Sequence, residues 1–368
     1  MKLYSQIALL FLTAGLYACS SGDDPLVEPE IPIKNDTGFM WEEKRDTILG
    51  CKDLVLIYGG GAHRTTTWSK DYMAPYVTYK DASGNEHWLF DGFLFLEFKN
   101  GLGKMFAEGY DSTGANQHEW KALADYYFQS KIALGGLDNA IEEAIVRVGQ
   151  PSEKRKVVIC LPEPITGQKD WGSVKNGVQL DFSKPADRIS ACKWYINYVR
   201  GKFKELQYDN IELAGFYWIA EDASTSRSII ADIGIYCNSL KYSFNWIPYY
   251  SANGYSEWKI LGFNYGYLQP NYFFTESLSY SRLEQACTLA LQNGMDMELE
   301  FDEKALAASG WGYRLSNYLK AFKQYGIWSY KRIAYYQGNL ALYYLSKSSN
   351  PEDQKLYQEF CEFVSKRH

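Results

Sequence analysis

The amino-acid sequence predicts an α/β fold, a single (β/α)8 TIM barrel, on three observations. Eight short runs rich in Val, Ile, Tyr and Phe alternate with longer stretches of helical periodicity, as in βα units around a parallel sheet. No internal repeat or interdomain linker interrupts this alternation between residues 51 and 366. One barrel of roughly 320 residues with enlarged loops therefore accounts for the length, and two separate domains do not.

The eight apolar runs define the expected strands. Each has the β-branched and aromatic composition that favours extended structure. Eight parallel strands in one domain suggest closure into a barrel. The runs are 53–61, 88–98, 156–164, 211–222, 242–252, 260–270, 295–305 and 328–338.

Helical periodicity occupies most of the intervals between these runs. The segment 117–148 is expected to form two helices that are broken at Gly135 and Gly136, because paired glycines weaken a helix. The other expected helices are 185–205, 226–240, 279–293, 312–324 and a last one near 351–366.

The N-terminal residues have the pattern of a targeting signal. A short start carrying Lys2 precedes the apolar run LLFLTAGLYA, which is too short to span a membrane. The tetrapeptide from Leu16 to Cys19 resembles the lipobox at which bacterial lipoproteins are cleaved and acylated. We therefore expect a signal peptide over 1–18 and lipidation of Cys19. An ordinary secretion signal with an accidental cysteine is the alternative.

Residues 19–40 are expected to form a flexible tether, because they are rich in Pro, Asp and Glu and lack a hydrophobic period. The acidic cluster directly after Cys19 resembles a surface-export signal of Gram-negative lipoproteins. These features predict a surface-exposed outer-membrane lipoprotein whose only membrane contact is its lipid anchor. The folded domain is assigned to 41–368.

Composition and motifs exclude several classes of function. Lys and Arg number 38 against 44 Asp and Glu, a net charge of −6, so nucleic acid is not an expected partner. The sequence has only four histidines and no HExxH pattern, no Walker or GxGxxG loop and no GxSxG elbow. We expect neither a metal nor a cofactor. We expect the six cysteines after Cys19 to be buried thiols, although a disulfide bridge between Cys51 and Cys361 is conceivable.

Acidic residues recur where the expected strands end, and in a TIM barrel the active site is built from those ends. Glu163 ends strand three and Glu221 follows strand four. Because side chains alternate along a strand, the acids of strand seven share one face, which is expected to point into the barrel. Those acids are Asp296, Glu298, Glu300 and Asp302.

Two carboxyl groups that face each other across a pocket are what glycoside hydrolysis requires. Strands four and seven lie opposite each other in an eight-stranded barrel. We therefore expect Glu221 to be the acid/base and Glu300 the nucleophile, with Glu298 as the main rival for the second role. Alternatively, these acids are structural and bind partners such as Arg332 and Tyr335.

Aromatic residues make up 17% of the chain, and many lie near strand ends. Sugar rings pack their C–H faces on aromatic planes, while amides and charged groups bind their hydroxyls. Packing in the core and hydrogen bonding within loops are the competing explanations. The substrate-binding candidates are Arg64, Glu163, Tyr217, Trp246, Tyr249, Asn264, Gln269, Asn271, Asp302, Tyr336 and Gln337.

Three stretches carry a resemblance to a known family: GFYWIAED, FNWIPYYSANGYSEWKILGFNYGYLQPNYFF and GMDMELEFD. Over about residues 51–345 the chain resembles the bacterial family catalogued as domain of unknown function 4855, a TIM-barrel group similar to glycoside hydrolases. The resemblance implies that Glu221, Glu298 and Glu300 are site residues. It also implies site roles for Asp91, Trp246, Tyr249, Gln269 and Asn271. Asn264 stands where the family pattern has an Asp.

Together these patterns predict a glycoside hydrolase that acts on a polysaccharide or oligosaccharide at the cell surface. The alternative is a non-catalytic lipoprotein with the same fold that binds glycan on an aromatic cleft. A structural or assembly protein of the cell surface is a third option.

Overall fold

The computed structural model describes residues 50–174 and 177–368, and it confirms the (β/α)8 barrel. The signal peptide expected over 1–18, Cys19 and the tether over 19–40 lie outside the described residues. The described residues form the strands β1 (Asp53–Tyr58), β2 (Thr78–Lys80), β3 (Glu86–Trp88), β4 (Gly92–Leu96), β5 (Lys104–Met105), β6 (Thr113–Gly114), β7 (Arg155–Leu161), β8 (Ile211–Trp218), β9 (Ser243–Trp246), β10 (Tyr265–Leu268), β11 (Asp296–Phe301) and β12 (Ile333–Gln337). Eight of them form the closed barrel in chain order, each paired in parallel with its neighbours: β1, β4, β7, β8, β9, β10, β11 and β12.

Helices cover the outside of the barrel. They are α1 (Lys70–Val77), α2 (Gln117–Tyr127), α3 (Ala133–Val148), α4 (Pro185–Leu206), α5 (Arg227–Ser239), α6 (Ser281–Gln292), α7 (Gly312–Gln324), α8 (Ile327–Tyr330), α9 (Ala341–Lys347) and α10 (Pro351–Ser365). Among the described residues, no helix combines the length and the hydrophobicity needed to cross a bilayer.

Each of the eight predicted runs overlaps one barrel strand, and only β7 begins outside its run, by one residue. The predicted helices after residue 150 agree with the observed ones within two residues at each end. Helices α1 and α9 and the hairpin of β2 and β3 were not predicted from the sequence. Helix α1 has only eight residues and contains Pro75, so it carries little helical signal. The run predicted as strand over 328–338 begins instead with α8, and its strand is confined to β12.

The break between α2 and α3 falls at residues 128–132, so its predicted position at Gly135 and Gly136 was wrong. Both glycines lie in the first turn of α3. A Cβ on Gly136 would lie 2.3 Å from the carbonyl oxygen of Trp68, and one on Gly135 would lie 2.4 Å from that of Ser130. These glycines therefore allow the close approach of neighbouring backbone rather than ending a helix.

Strand β11 presents its two faces as the alternating pattern predicts. The ring of Phe301 packs against that of Phe360 in α10, with centroids 5.2 Å apart, on the helix side. Glu298 and Glu300 face the barrel interior and line a pocket. The strand therefore delivers two carboxyl groups to the inside while its apolar residues hold the helices.

Many of the aromatic residues lie in the hydrophobic core. In the part of the chain that the structure describes, five tryptophans are fully buried: Trp68, Trp120, Trp171, Trp218 and Trp246. The six cysteines of the described chain are free thiols and all are buried, so the conceivable bridge between Cys51 and Cys361 is not formed.

Candidate active site

A pocket of about 380 Å³ opens at the C-terminal ends of the barrel strands. The structure brings eight of the sequence candidates to its wall: Arg64, Tyr217, Glu221, Gln269, Asn271, Glu298, Glu300 and Tyr336. The pocket also contains His63 and Phe274, which lie near expected strand ends, and seven residues that were not predicted as site residues: Leu56, Tyr58, Glu97, Phe98, Lys99, Tyr110 and Gly338.

Glu221 follows β8 and is held by two donors from different loops. The Tyr110 hydroxyl donates to its Oε2 at 2.8 Å, and the Gln269 amide Nε2 donates to its Oε1 at 2.6 Å. Burial raises the pKa of Glu221 above its usual value, and the two hydrogen bonds only partly offset this effect. The geometry fixes the direction of the carboxyl group and favours its protonated form more than in water.

The orientation of the Gln269 amide is itself determined by its neighbours. Its Oε1 accepts a hydrogen bond from Asn271 Nδ2 at 3.2 Å, while its Nε2 also donates to the Ile247 carbonyl at 3.1 Å. Asn271 adopts a left-handed backbone conformation with φ of 50°, which Asn tolerates better than most residues, and its Oδ1 accepts from Tyr250 N. These contacts turn the donor end of Gln269 toward Glu221.

Glu300 is a buried carboxyl group with several donors. Tyr318 in α7 donates to its Oε2 at 2.6 Å. Burial raises the pKa of Glu300 to about 7, although the Tyr318 hydroxyl and the backbone N–H groups of Asn271 and Tyr272 lower it. These donors stabilise the ionised form of Glu300. Of the two glutamates of β11, Glu300 is therefore the one whose surroundings favour a negative charge more strongly.

Glu298 has a different environment although it lies on the same face of the same strand. It is 3% exposed, and no side chain among the described residues donates a hydrogen bond to it. Burial, followed by the charges of Glu300 and Glu221, raises the pKa of Glu298 well above its usual value. The hydrogen bonds to Glu300 favour the ionised form at Glu300, so the surroundings of the two groups favour Glu298 for a proton that the β11 pair shares.

The suggested structural partners of these acids lie elsewhere. The Arg332 guanidinium lies 4.2 Å from the centre of the Tyr265 ring. The Tyr335 hydroxyl donates to Asp53. Neither residue neutralises Glu298 or Glu300, so the interior acids are not held by the partners that a purely structural role was expected to use.

Arg64 lines the pocket as half of an ion pair. Its Nε and Nη2 bind the two carboxylate oxygens of Glu97 at 2.5 and 2.8 Å, and its guanidinium lies 5.0 Å from the centre of the Tyr58 ring. The hydrogen bond and charge of Glu97 raise the pKa of Arg64 despite the opposing effect of burial. Arg64 therefore forms a salt bridge within the protein, and both of its members line the pocket.

Aromatic rings form much of the remaining surface. The ring of Tyr110 stacks on that of Phe98 with centroids 4.1 Å apart, and Tyr336 makes edge contacts with Tyr58 and Phe274, each at 5.6 Å. The positions of Phe98 and Tyr110 depend on the loop after β4, which a strand-end pattern does not locate. Such a surface can bind the C–H face of a sugar beside the glutamates.

Two candidates support the Glu221 loop from outside the pocket. Trp246 is fully buried, and its Nε1 donates to the carbonyl of Ala220 at 2.7 Å. The Tyr249 hydroxyl donates to Asp222 at 3.1 Å. Both contacts reach residues adjacent to Glu221, so these side chains hold its backbone in place rather than lining the pocket.

Four further candidates make structural hydrogen bonds away from the pocket. Glu163 accepts from Glu108 N, Thr225 and Ser226, and Asp302 accepts from Lys304 N. Asn264 accepts from Phe244 N and pairs with Asn238, while Gln337 accepts from Tyr76. Polar residues at strand ends are thus divided between the pocket and the support of loops, and sequence spacing alone does not separate these two groups.

Asp91 lies at the opposite end of the barrel from the pocket. Its two carboxylate oxygens accept from the backbone N–H groups of Lys52 and Asp53, each at 2.8 Å. It precedes β4 instead of following it, so its position differs from the site role that the resemblance implied.

One group among the described residues has the composition of a metal site, with ligand atoms of Asp53, Asp91 and His368 within 4.8 Å of one another. Both oxygens of Asp91 and Asp53 Oδ1 already accept hydrogen bonds from the protein, whereas Asp53 Oδ2 accepts none from the described residues. Asp53 Oδ1 accepts from Arg367 Nε at 2.7 Å, and Asp53 Oδ2 lies 3.0 Å from His368 Nε2. A guanidinium in direct contact opposes a divalent cation, so the arrangement fits an ion-pair network better than a metal centre.

The family model described as Domain of unknown function (DUF4855) matches residues 53–362. No curated protein matches the chain.

A solved structure of the catalytic domain of a family GH18 chitinase from the fern Peteris ryukyuensis is 12% identical, with 84% of this chain and 99% of that chain covered and a TM-score of 0.41. A family 18 chitinase from Crocus vernus is 14% identical, with 84% and 98% covered and a TM-score of 0.40. The carboxyl transferase domain of Rhizobium etli pyruvate carboxylase is 7% identical, with 88% and 50% covered and a TM-score of 0.38. These scores are too low to carry an argument about activity.

Proposed function

The chain belongs to the family described as domain of unknown function DUF4855, and we propose that it is a glycoside hydrolase that uses carboxyl groups for acid/base chemistry. Its substrate in this proposal is a polysaccharide or oligosaccharide. The observation that carries the proposal is one pocket lined by Glu221 from the end of β8 and by Glu298 and Glu300 from β11.

The environments of the three glutamates suit different tasks in such a reaction. Glycoside hydrolysis needs one carboxyl group that donates a proton to the leaving oxygen and one carboxylate that attacks the anomeric carbon or activates water. We assign the first task to Glu221, because burial raises its pKa. We assign the second to Glu300, whose Tyr318 and backbone donors stabilise the anion.

Glu298 completes this arrangement by remaining neutral. Two neighbouring carboxylates in a buried site cannot both be ionised without a large repulsion. A proton on Glu298, to which no described side chain donates a hydrogen bond, relieves the repulsion and leaves Glu300 charged. The neutral carboxyl group can then donate its hydrogen bond to a sugar hydroxyl or ring oxygen.

The aromatic wall supports a sugar as the ligand. Tyr58, Phe98, Tyr110, Phe274 and Tyr336 surround the glutamates with ring surface and hydroxyl groups. Apolar faces next to a few fixed polar groups are the usual composition of a carbohydrate site. The same wall would serve a protein that binds glycan without cutting it, so the assay must separate binding from cleavage.

The test is a screen of the purified protein against a panel of polysaccharides, in which binding and the release of reducing ends are measured on the same samples. The proposal expects at least one glycan to be cleaved with release that grows over time. Binding without release from any member would support the non-catalytic alternative and contradict hydrolysis.

The site of action is proposed from the sequence. The lipobox-like residues from Leu16 to Cys19 and the acidic cluster that follows favour a surface lipoprotein of the outer membrane in a Gram-negative bacterium. Replacing Cys19 by Ala should abolish labelling by a fatty acid and release the protein from the membrane fraction. Unchanged labelling of the Cys19→Ala variant would contradict the anchor.

A further inference from the structure

We propose that the N-terminal end of the barrel carries a binding site for a phosphate- or sulfate-type oxyanion, centred on Arg155. A cavity of about 750 Å³ lies there, on the side opposite the glutamates, among the starts of β1, β7 and β12. Its wall contains two acids, Asp91 and Glu153, against a larger group of cations. These cations are Lys52, Lys154, Arg155, Lys156, Lys331, Arg332 and Arg367.

Arg155 is the most unusual member of this group. It is 7% exposed, and its buried Nε has no hydrogen-bond acceptor among the described residues. Its guanidinium lies 4.8 Å from the centre of the Trp88 ring, which holds the side chain flat without satisfying its N–H groups. A buried guanidinium without an acceptor is costly, and this cost disappears when an anion binds.

The acid nearest to Arg155 does not satisfy it. Asp91 is close enough to act on Arg155 electrostatically, but its carboxylate oxygens accept from the backbone of Lys52 and Asp53. Arg155 therefore lines the cavity without a hydrogen bond from its Nε to an acceptor among the described residues.

Several of the surrounding cations already have partners. Lys156 pairs with Glu153 and Glu212, and Arg367 pairs with Asp53. The Nζ groups of Lys52 and Lys154 donate to backbone carbonyls.

Two other cations line the same cavity as Arg155. Arg332 lies over the Tyr265 ring with Asp296 in electrostatic range, and neither Arg332 nor Lys331 forms a salt bridge with another described residue. Two guanidinium groups and one ammonium group thus share the cavity.

This set of donors fits a tetrahedral oxyanion. Planar guanidinium groups bind two oxygens of a phosphate or sulfate at once, and a lysine adds a mobile point charge. Three positive groups around one cavity match a dianion better than a single carboxylate. The anion has two possible sources with the same chemistry, a free phosphate or sulfate ion and the phosphate of a lipid headgroup.

The binding test is a titration of the full-length protein with inorganic phosphate and with sulfate by calorimetry, with chloride at matched ionic strength as the reference. We expect saturable binding of at least one dianion and no comparable signal for chloride. Arg155→Gln should weaken that binding roughly 10-fold or more, which corresponds to about 1.4 kcal/mol. Lys355→Gln, which removes an exposed cation that is not part of the cavity wall, is the matched control and should bind as the wild type does.

The double variant Lys331→Gln/Arg332→Gln provides a second test of the site if Arg155→Gln fails to fold, because both residues are only half-buried.

Sedimentation with vesicles of phosphatidylcholine, with and without phosphatidylglycerol, identifies the source of the bound anion. Cosedimentation that requires phosphatidylglycerol and Arg155 assigns the site to a lipid headgroup, and binding of the free anion alone assigns it to a soluble ion. Equal signals for phosphate and chloride together with no cosedimentation, or wild-type binding in both cavity variants, would overturn the proposal.

Discussion

The hydroxyl of Tyr110 donates a hydrogen bond of 2.8 Å to Glu221 Oε2 across the mouth of the barrel. Tyr110 lies 111 residues before Glu221 in the chain and is 38% exposed, whereas Glu221 is largely enclosed by the pocket. The loop after β4 thus reaches over the pocket and helps determine both the direction and the proton affinity of the proposed acid.

Tyr110→Phe should lower turnover of a cleaved glycan about 10-fold, because hydrogen bonds to charged groups are worth roughly 1.5–3 kcal/mol. The Tyr110 hydrogen bond lowers the pKa of Glu221, so its removal should shift the alkaline limb of the rate profile to higher pH. The measurement is turnover across a pH series. Tyr330→Phe, at an exposed tyrosine outside the pocket, should change neither quantity. A profile identical to the wild type would contradict the assigned contact.

Arg64→Met should destabilise the fold by about 3–5 kcal/mol, because it leaves Glu97 buried without its partner. The double variant Arg64→Met/Glu97→Gln should regain much of that loss, since it removes the buried charge together with its partner. Urea unfolding followed by circular dichroism measures both values. A double variant that is no more stable than Arg64→Met would show that the pair does not act as a unit.

Stability should fall as the pH rises from about 4.5 toward 7, because the folded protein holds protons on Glu298 and Glu300 that the unfolded chain releases. Both pKa values are raised in the folded state. The protons on these groups therefore contribute fully to the free energy of unfolding below the pKa of the unfolded chain, and this contribution is lost above the pKa of the folded protein. Between pH 5 and pH 8, the Tm of the double variant Glu298→Gln/Glu300→Gln should fall less than the Tm of the wild type, and the difference should be roughly a few degrees. Equal slopes in thermal denaturation would contradict the raised pKa values.

Gly136→Ala should destabilise the protein strongly, since the new Cβ would lie 2.3 Å from the backbone oxygen of Trp68. Gly201→Ala is the matched control in α4, where a Cβ would meet open space within 4 Å. The control should gain up to about 1 kcal/mol from better helix propensity. Thermal denaturation of both variants measures the difference, and a tolerated Gly136→Ala would contradict the close packing at the start of α3.

The sequence predicts the eight barrel strands well, because short β-rich runs between helical segments have few other arrangements. It also places Glu221, Glu298 and Glu300 at one pocket, since strand ends and strand alternation determine which side chains meet. Tyr110 and Glu97 were not found, because their positions depend on loop conformation and on pairing with distant residues. Gln337 and Asn264 have the same amide chemistry as Gln269, and only the fold shows that they bond to other structural elements.

The central claim is that Glu221 and Glu300 perform hydrolysis in the pocket at the barrel mouth. The most direct measurement is the rate of reducing-end release from a cleaved glycan by the wild type, Glu221→Gln, Glu300→Gln and the exposed-site control Glu276→Gln. Each pocket variant should lose activity by roughly 100-fold or more while its circular dichroism spectrum and glycan binding remain, and the control should match the wild type. Wild-type rates in both Glu221→Gln and Glu300→Gln would contradict the account.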